Sequence, residues 1–300
     1  MKLFYLIQFE GRRKICFVKF LVLPVLLLQI HSSLHSQTSP GILFPEEDCQ
    51  ICSEKLNVFS SLSDLSPGEL VIRIGESFLG APYVAKSLEA QPEQLVVNLR
   101  GFDCTTFLES CLSLTRCVKN KDTSCSGLSK ELMDLRYRKG AVDGYVSRLH
   151  YFSEWISCNS AKGLVRDVTA ELGGETFDLE LDFMSTHPAL YAQLSHDSSL
   201  VSDIRIIEKK VSSLPFSYIP KEKLMQAEQG INNGDILAIT STIRGLDIAH
   251  TGFAVRKDGR IYMLHASSLH KKVEITAQPL QEYLQGIGNM SGVMVIRPLD

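Results

Sequence analysis

The sequence predicts an α+β fold, with helices in the first half of the chain and strands in the last third. Three observations carry this. Apolar residues recur with helical period after Asp103, at Phe107, Leu108, Cys111, Leu112, Leu114 and Val118. Two apolar runs, His250–Arg256 and Arg260–Ala266, flank Asp258-Gly259, the strongest short signal for a β-hairpin. Further strand-like runs stand at Asp235–Thr240, Lys272–Ile275 and Val293–Arg297. The expected architecture is therefore a helix after Asp103 packed on a C-terminal antiparallel sheet, with Cys104 brought over one face of the hairpin.

The elements follow in order. Residues 1–36 read as a signal peptide: Arg12, Arg13, Lys14 and Lys19 precede an apolar run from Phe20 to Ile30, and small residues offer cleavage between Ser36 and Gln37. That run is shorter than the roughly 20 residues of a membrane span. Export, with no stable span after cleavage, is the expectation. Ser39 to Pro45 reads as a linker and Glu46 to Phe59 as a weak helix. Pro67 to Leu79 reads as a helix with proline at its first position. Residues 127–230, broken by Pro188, Pro215 and Pro220, read as a helical and looped elaboration that shapes a cleft. Arg136, Tyr145, Arg148 and Trp155 are its candidate ligand contacts.

Composition limits the function classes. At 300 residues, 44% hydrophobic and 22% charged, the chain can bury a sizeable core. A net charge of −3 gives no support to nucleic-acid binding. No phosphate-cradling glycine loop or other cofactor motif is visible, so no cofactor is expected. Without the signal segment seven cysteines remain, an odd number, which points to a free thiol in an exported chain. Cys117 and Cys125 are close enough in sequence to close a short loop. Cys49-Gln-Ile-Cys52 has redox spacing without a preceding strand.

Cys104 stands where a loop ending in Asp103 enters a helix. A helix N-terminus favours thiolate through unsatisfied N–H groups and the macrodipole, and a thiolate is the nucleophilic form. With a two-residue turn, Phe253 faces Leu264 and Gly252 faces His265, so His250 and His265 share one face of the hairpin as diagonal neighbours, roughly 7–8 Å apart. A thiol needs a base, and the base needs an orienting partner. Cys104, His250 and His265 can fill these three roles. The same three side chains are zinc-ligand types, but no paired Cys/His spacing supports a metal site.

Gly80-Ala-Pro-Tyr83, Phe102-Asp103-Cys104-Thr-Thr-Phe, Leu246-Asp-Ile-Ala-His250-Thr-Gly and Leu264-His265-Ala-Ser-Ser resemble the NlpC-type papain-like cysteine hydrolases. Ser147–Trp155 and Asn233-Gly-Asp235-Ile resemble one branch of them, described as N-acetylmuramoyl-L-alanine amidase-like. The resemblance spans about residue 70 to the C-terminus and implies a papain-like fold. It also implies that residues 37–300 form a single catalytic domain. Cys104 is the implied nucleophile, His250 the base and His265 the third polar member; Tyr83 and Asp103 lie beside the nucleophile as peptide-stem contacts. Asp103 also suits a helix N-cap. Thr105-Thr106 replaces the Ser-Gly pair common in the superfamily. The implied substrate is a peptidoglycan fragment, cut between the N-acetylmuramic acid lactyl group and L-alanine; the signal segment points to the bacterial periplasm, and a monomer is expected. Cleavage between γ-D-glutamate and the diamino acid is the first alternative, and a non-catalytic cell-wall binding protein the second.

Overall fold

The computed structural model describes residues 41–89 and 91–300; the signal-peptide reading of 1–36 falls outside them. Among the described residues the first half is carried by α1 (Glu46–Phe59), α2 (Pro67–Glu76), α3 (Cys104–Lys119), α4 (Cys125–Arg136) and α5 (Phe152–Ala161). Their starts follow from local chemistry. Ser66 caps α2 by accepting from the Glu69 N–H, with Pro67 at the first helical position. Ser124 caps α4 through the Gly127 N–H. A disulfide joins Cys49 of α1 to Cys125 of α4; Cys117 is instead buried on α3, so the short Cys117–Cys125 loop is not formed.

Among the described residues, strands complete the fold. They are β1 (Ile42–Leu43), β2 (Leu95–Val96), β3 (Val165–Asp167), β4 (Glu175–Thr176), β5 (Ser217–Pro220), β6 (Ile236–Ser241), β7 (Ile248–Lys257), β8 (Arg260–Ser267), β9 (Lys272–Ile275) and β10 (Met290–Pro298). β1 and β2 pair in parallel, so the stretch read as a linker carries a strand. The main sheet is antiparallel in the order β4-β5-β10-β6-β7-β8-β9, with β3 also on β10. β3, β4 and β5 come from the segment read as helical and looped. Each spans only two to four residues, too few to show a strand period.

The hairpin register is the one the sequence implies. Phe253 pairs with Leu264 and Lys257 with Arg260, around a turn in which Asp258 and Gly259 have φ of +51° and +78°. Alternation then divides the core in two. Phe253, Leu264, Ile236 and Ala238 pack beneath α2 and α3, with Phe107 edge-on to Phe253 at 6.0 Å. Ala254, Met263, Leu237 and Ile239 pack on the other side, against Leu280 and Leu284 of the helix Leu280–Gln285. The edge beyond β9 is extended by the chain that leads to α3. Tyr83 N–H donates to Lys271 O at 2.9 Å, and Phe102 N–H donates to Pro82 O at 3.0 Å. This stitching fixes where Asp103 and Cys104 emerge. Among the described residues no helix is long and apolar enough to cross a membrane.

Candidate active site

Asp103 starts α3 with a reciprocal capping box. Its carboxylate accepts from Thr106 N–H (2.8 Å) and Thr106 Oγ1–H (2.9 Å), while its own N–H donates to Thr106 Oγ1 at 2.9 Å. Thr106, the second of the two threonines after the cysteine, thus serves the cap. Asp103→Ala is expected to lower stability by about 1 kcal/mol, whereas Asp103→Asn keeps the cap; thermal melts of the two variants check this.

Cys104 is the first residue of α3. It is partly open on its cavity side, yet protein surrounds the thiol. Burial, seconded by the charge of Asp103, pushes its pKa up, and contacts with Thr251 and Thr105 pull it back only in part. Burial thus opposes the thiolate that the helix terminus favours.

His250 and His265 meet as the register requires, with His250 Nε2 2.6 Å from His265 Nδ1 and the rings edge to face. Ala249 is an extra residue in β7 against β6, immediately before His250, the kind of irregularity that re-aims a strand end. Gly252 leaves the space for this approach: a Cβ there would lie 2.7 Å from Leu264 O and 2.9 Å from His265 Cβ. One expectation is corrected. α3 covers the hairpin face of Phe253 and Leu264, while alternation gives the two histidines the parity of Ala254 and Met263. Cys104 does not lie over the histidine-bearing face; it shares a cavity with His250 because it stands at the helix end, beyond the packed stripe.

That cavity has a volume of about 120 Å³. Leu149, Phe152 and Trp155 form an apolar wall, and Thr105, His150, Asp247, His250 and Thr251 bring polar groups to it. Of the candidate contacts, Trp155 therefore lies at the cavity, but its indole N–H donates inward to Glu109 Oε1 at 3.1 Å. Arg136 is held by Glu109 Oε2 (2.7 Å) and Val96 O (2.7 Å) and is 2% exposed. It serves the interior and not the cleft, because a buried guanidinium needs a buried carboxylate. Arg148 is similarly taken up by Glu89 and Glu93, and lies over the ring of Tyr145. Tyr145 is buried, and its ring lies 4.2 Å from that of His150. Tyr83 is half-buried and close to Cys104 and Asp103; burial, then those two groups, push its hydroxyl up to about 12.

His150 was not singled out from the sequence. Its Nε2 donates to Tyr145 O at 2.8 Å, and burial with the nearby Arg148 charge holds its pKa well below the ordinary imidazole value. Asp247, also missed, accepts from Ser153 N–H and Oγ–H at 2.7 and 2.8 Å and ties the start of β7 to the first turn of α5. Both lie inside segments that carry the family resemblance, which was the available signal.

Burial lowers His250 to about 4 and, with the charge of His250, His265 to about 3. An unfolded chain binds protons on these imidazoles from about pH 6.5 downward. Between about 6.5 and 4 the unfolded state therefore holds more protons, and stability falls as pH falls. The melting temperature is expected to drop through that window, and a His265→Gln variant to show a shallower drop.

The sequence model of a family described as AmiA-like, N-acetylmuramoyl-L-alanine amidase-like, matches residues 73–290. The chain belongs to this family. Cys104, His250 and His265 all fall in the matched stretch. Among solved structures, an N-acetylmuramoyl-L-alanine amidase from Bacteroides uniformis shares 38% identity with this amidase-like chain, covering 78% of it and 99% of the other, with a TM-score of 0.75. A putative xylanase from Bacteroides fragilis shares 37% identity over 74% of this chain and 98% of that one, with a TM-score of 0.69. Protein LPG0564 from Legionella pneumophila, 22% identical over 84% of this chain and 95% of the other, shares the fold with a TM-score of 0.63. No curated protein matches the chain.

Proposed function

We propose that this amidase-like protein is an exported cysteine amidase of NlpC-type papain-like fold that hydrolyses the N-acetylmuramoyl-L-alanine bond of peptidoglycan fragments. Cys104, His250 and His265 act as nucleophile, base and orienting partner, in a bacterial periplasm and within a single catalytic domain from residue 37 onward. The observation that carries the reading is the cavity shared by Cys104 and His250, with His250 hydrogen-bonded behind to His265.

With Nε2 of His250 engaged by His265, Nδ1 is the nitrogen left for the thiol. Both groups rest neutral, so the proton moves from Sγ to His250 as sulfur attacks the lactyl carbonyl. The Cys104 N–H, in the first turn of α3 and lacking a helical acceptor, is suited to receive the oxyanion. The imidazolium then gives its proton to the departing alanine nitrogen, leaving a thioester. His250 next takes a proton from water, the hydroxide displaces Sγ, and the thiol is restored with a free lactyl carboxylate. The Leu149–Phe152–Trp155 wall offers an apolar contact to the methyl groups flanking this amide.

Mass spectrometry of a defined disaccharide-tetrapeptide tests the reading. Free disaccharide and a tetrapeptide beginning with L-alanine are expected. Disaccharide-dipeptide would make the protein an endopeptidase, and unchanged substrate would favour a binding role.

A further inference from the structure

We propose that Glu274 is a positioning residue for the histidine pair: its carboxylate fixes the proton of His265 on Nε2 and so keeps Nδ1 of His250 unprotonated towards Cys104. The inference rests on the assignment of His250 as base, and deepens it.

One proton lies between His250 Nε2 and His265 Nδ1, and two neutral arrangements satisfy it. If His250 donates, His265 carries its own proton on Nε2, and His250 Nδ1 keeps the lone pair that a base needs. If His265 donates, its Nε2 bears a lone pair, and His250 is protonated on the side where the thiol must be received. The surroundings of His265 Nε2 decide between them. This nitrogen is buried, with no hydrogen-bond partner among the described residues, and lies 4.0 Å from Glu274 Oε1. A carboxylate attracts an N–H and repels a lone pair, so it selects the arrangement in which His250 is the competent base.

The placement comes from the sheet. β8 and β9 set His265 directly opposite Glu274, so the two side chains stand on one face as a cross-strand pair. A gap of 4.0 Å exceeds a direct hydrogen bond, so the carboxylate acts on the ring through its charge. The groups facing Glu274 are His265 of β8, His270 of the turn that follows, and Tyr283 of the helix Leu280–Gln285. His270 Nδ1 lies 2.5 Å from the same Glu274 oxygen and anchors it, while the Tyr283 ring stands edge-on to His265 at 5.9 Å. When His250 takes the thiol proton, positive charge develops on the pair, and the carboxylate behind His265 stabilises it.

The test uses long-range proton–nitrogen spectra of the histidine side chains, together with kinetics, for the wild type and Glu274→Gln. His265 is expected to carry its proton on Nε2 in the wild type. In E274Q the Nδ1-protonated form should grow and kcat should fall about tenfold or more, the order of effect of removing a unit charge near a partly buried site. KM and the melting temperature should stay unchanged. A wild-type His265 protonated on Nδ1 overturns the proposal without recourse to any variant. So does an E274Q protein with unaltered tautomer and turnover, or one whose lost activity follows lost stability while the tautomer stays put. Cys104→Ala, assayed alongside, separates the two readings: if it keeps turnover, the nucleophile assignment fails while the spectra still judge Glu274.

Discussion

A Cys104→Ala variant is expected to lose at least about 10³-fold in turnover, as removal of a triad nucleophile does, while keeping its melting temperature. The loss should be this large because, among the described residues, Cys104 is the only thiol that lines the cavity with His250. Cys52, Cys111 and Cys117 are buried, and burial pushes each of their thiols up, that of Cys52 to about 12. Stability should be preserved because the Cys104 side chain faces the cavity and the capping box of Asp103 and Thr106 does not involve it. Substrate affinity, measured by calorimetry on the inert variant, should survive. Retained turnover would place the chemistry elsewhere.

Glu109→Ala should be the most damaging single change to the fold, costing about 3–5 kcal/mol, the range for removing one partner of a buried ion pair. Glu109 is 2% exposed on α3 and receives Arg136 from α4 and Trp155 from α5. Truncation strands a buried guanidinium and an indole N–H together. In a chain of this size the melting temperature should fall by about 10 °C. Because Trp155 is also a wall of the cavity, KM is expected to rise before the protein unfolds; thermal melts and steady-state kinetics on one preparation read both effects.

What was legible in the sequence depended on how local its cause is. The hairpin register could be read because Asp258-Gly259 admits positive φ at both turn positions, and that turn fixes every later pairing. The start of α3 could be read because Asp103 is a preferred cap. The face on which α3 packs could not: alternation gives two faces, and only the whole sheet says which one the helix covers. Arg136 and Arg148 looked like ligand contacts because exposed and buried arginines share one letter; their partners Glu109, Glu89 and Glu93 are distant in sequence. Glu274 escaped because its proximity to His265 arises from the register between β8 and β9. The burial that opposes the Cys104 thiolate escaped because a helix terminus is a local feature and desolvation is not.

The bridge between Cys49 and Cys125 spans 76 residues, and Tyr83, Asp103 and Cys104 all lie within the loop it closes. Tying off a loop of that length removes enough freedom from the unfolded chain to favour folding by about 4 kcal/mol, roughly a thousandfold in the equilibrium. The half of the molecule that carries the thiol is thus hardened only where cysteines oxidise. In reducing surroundings the same chain is a weaker fold, so its working life is set by redox conditions as well as by its sequence.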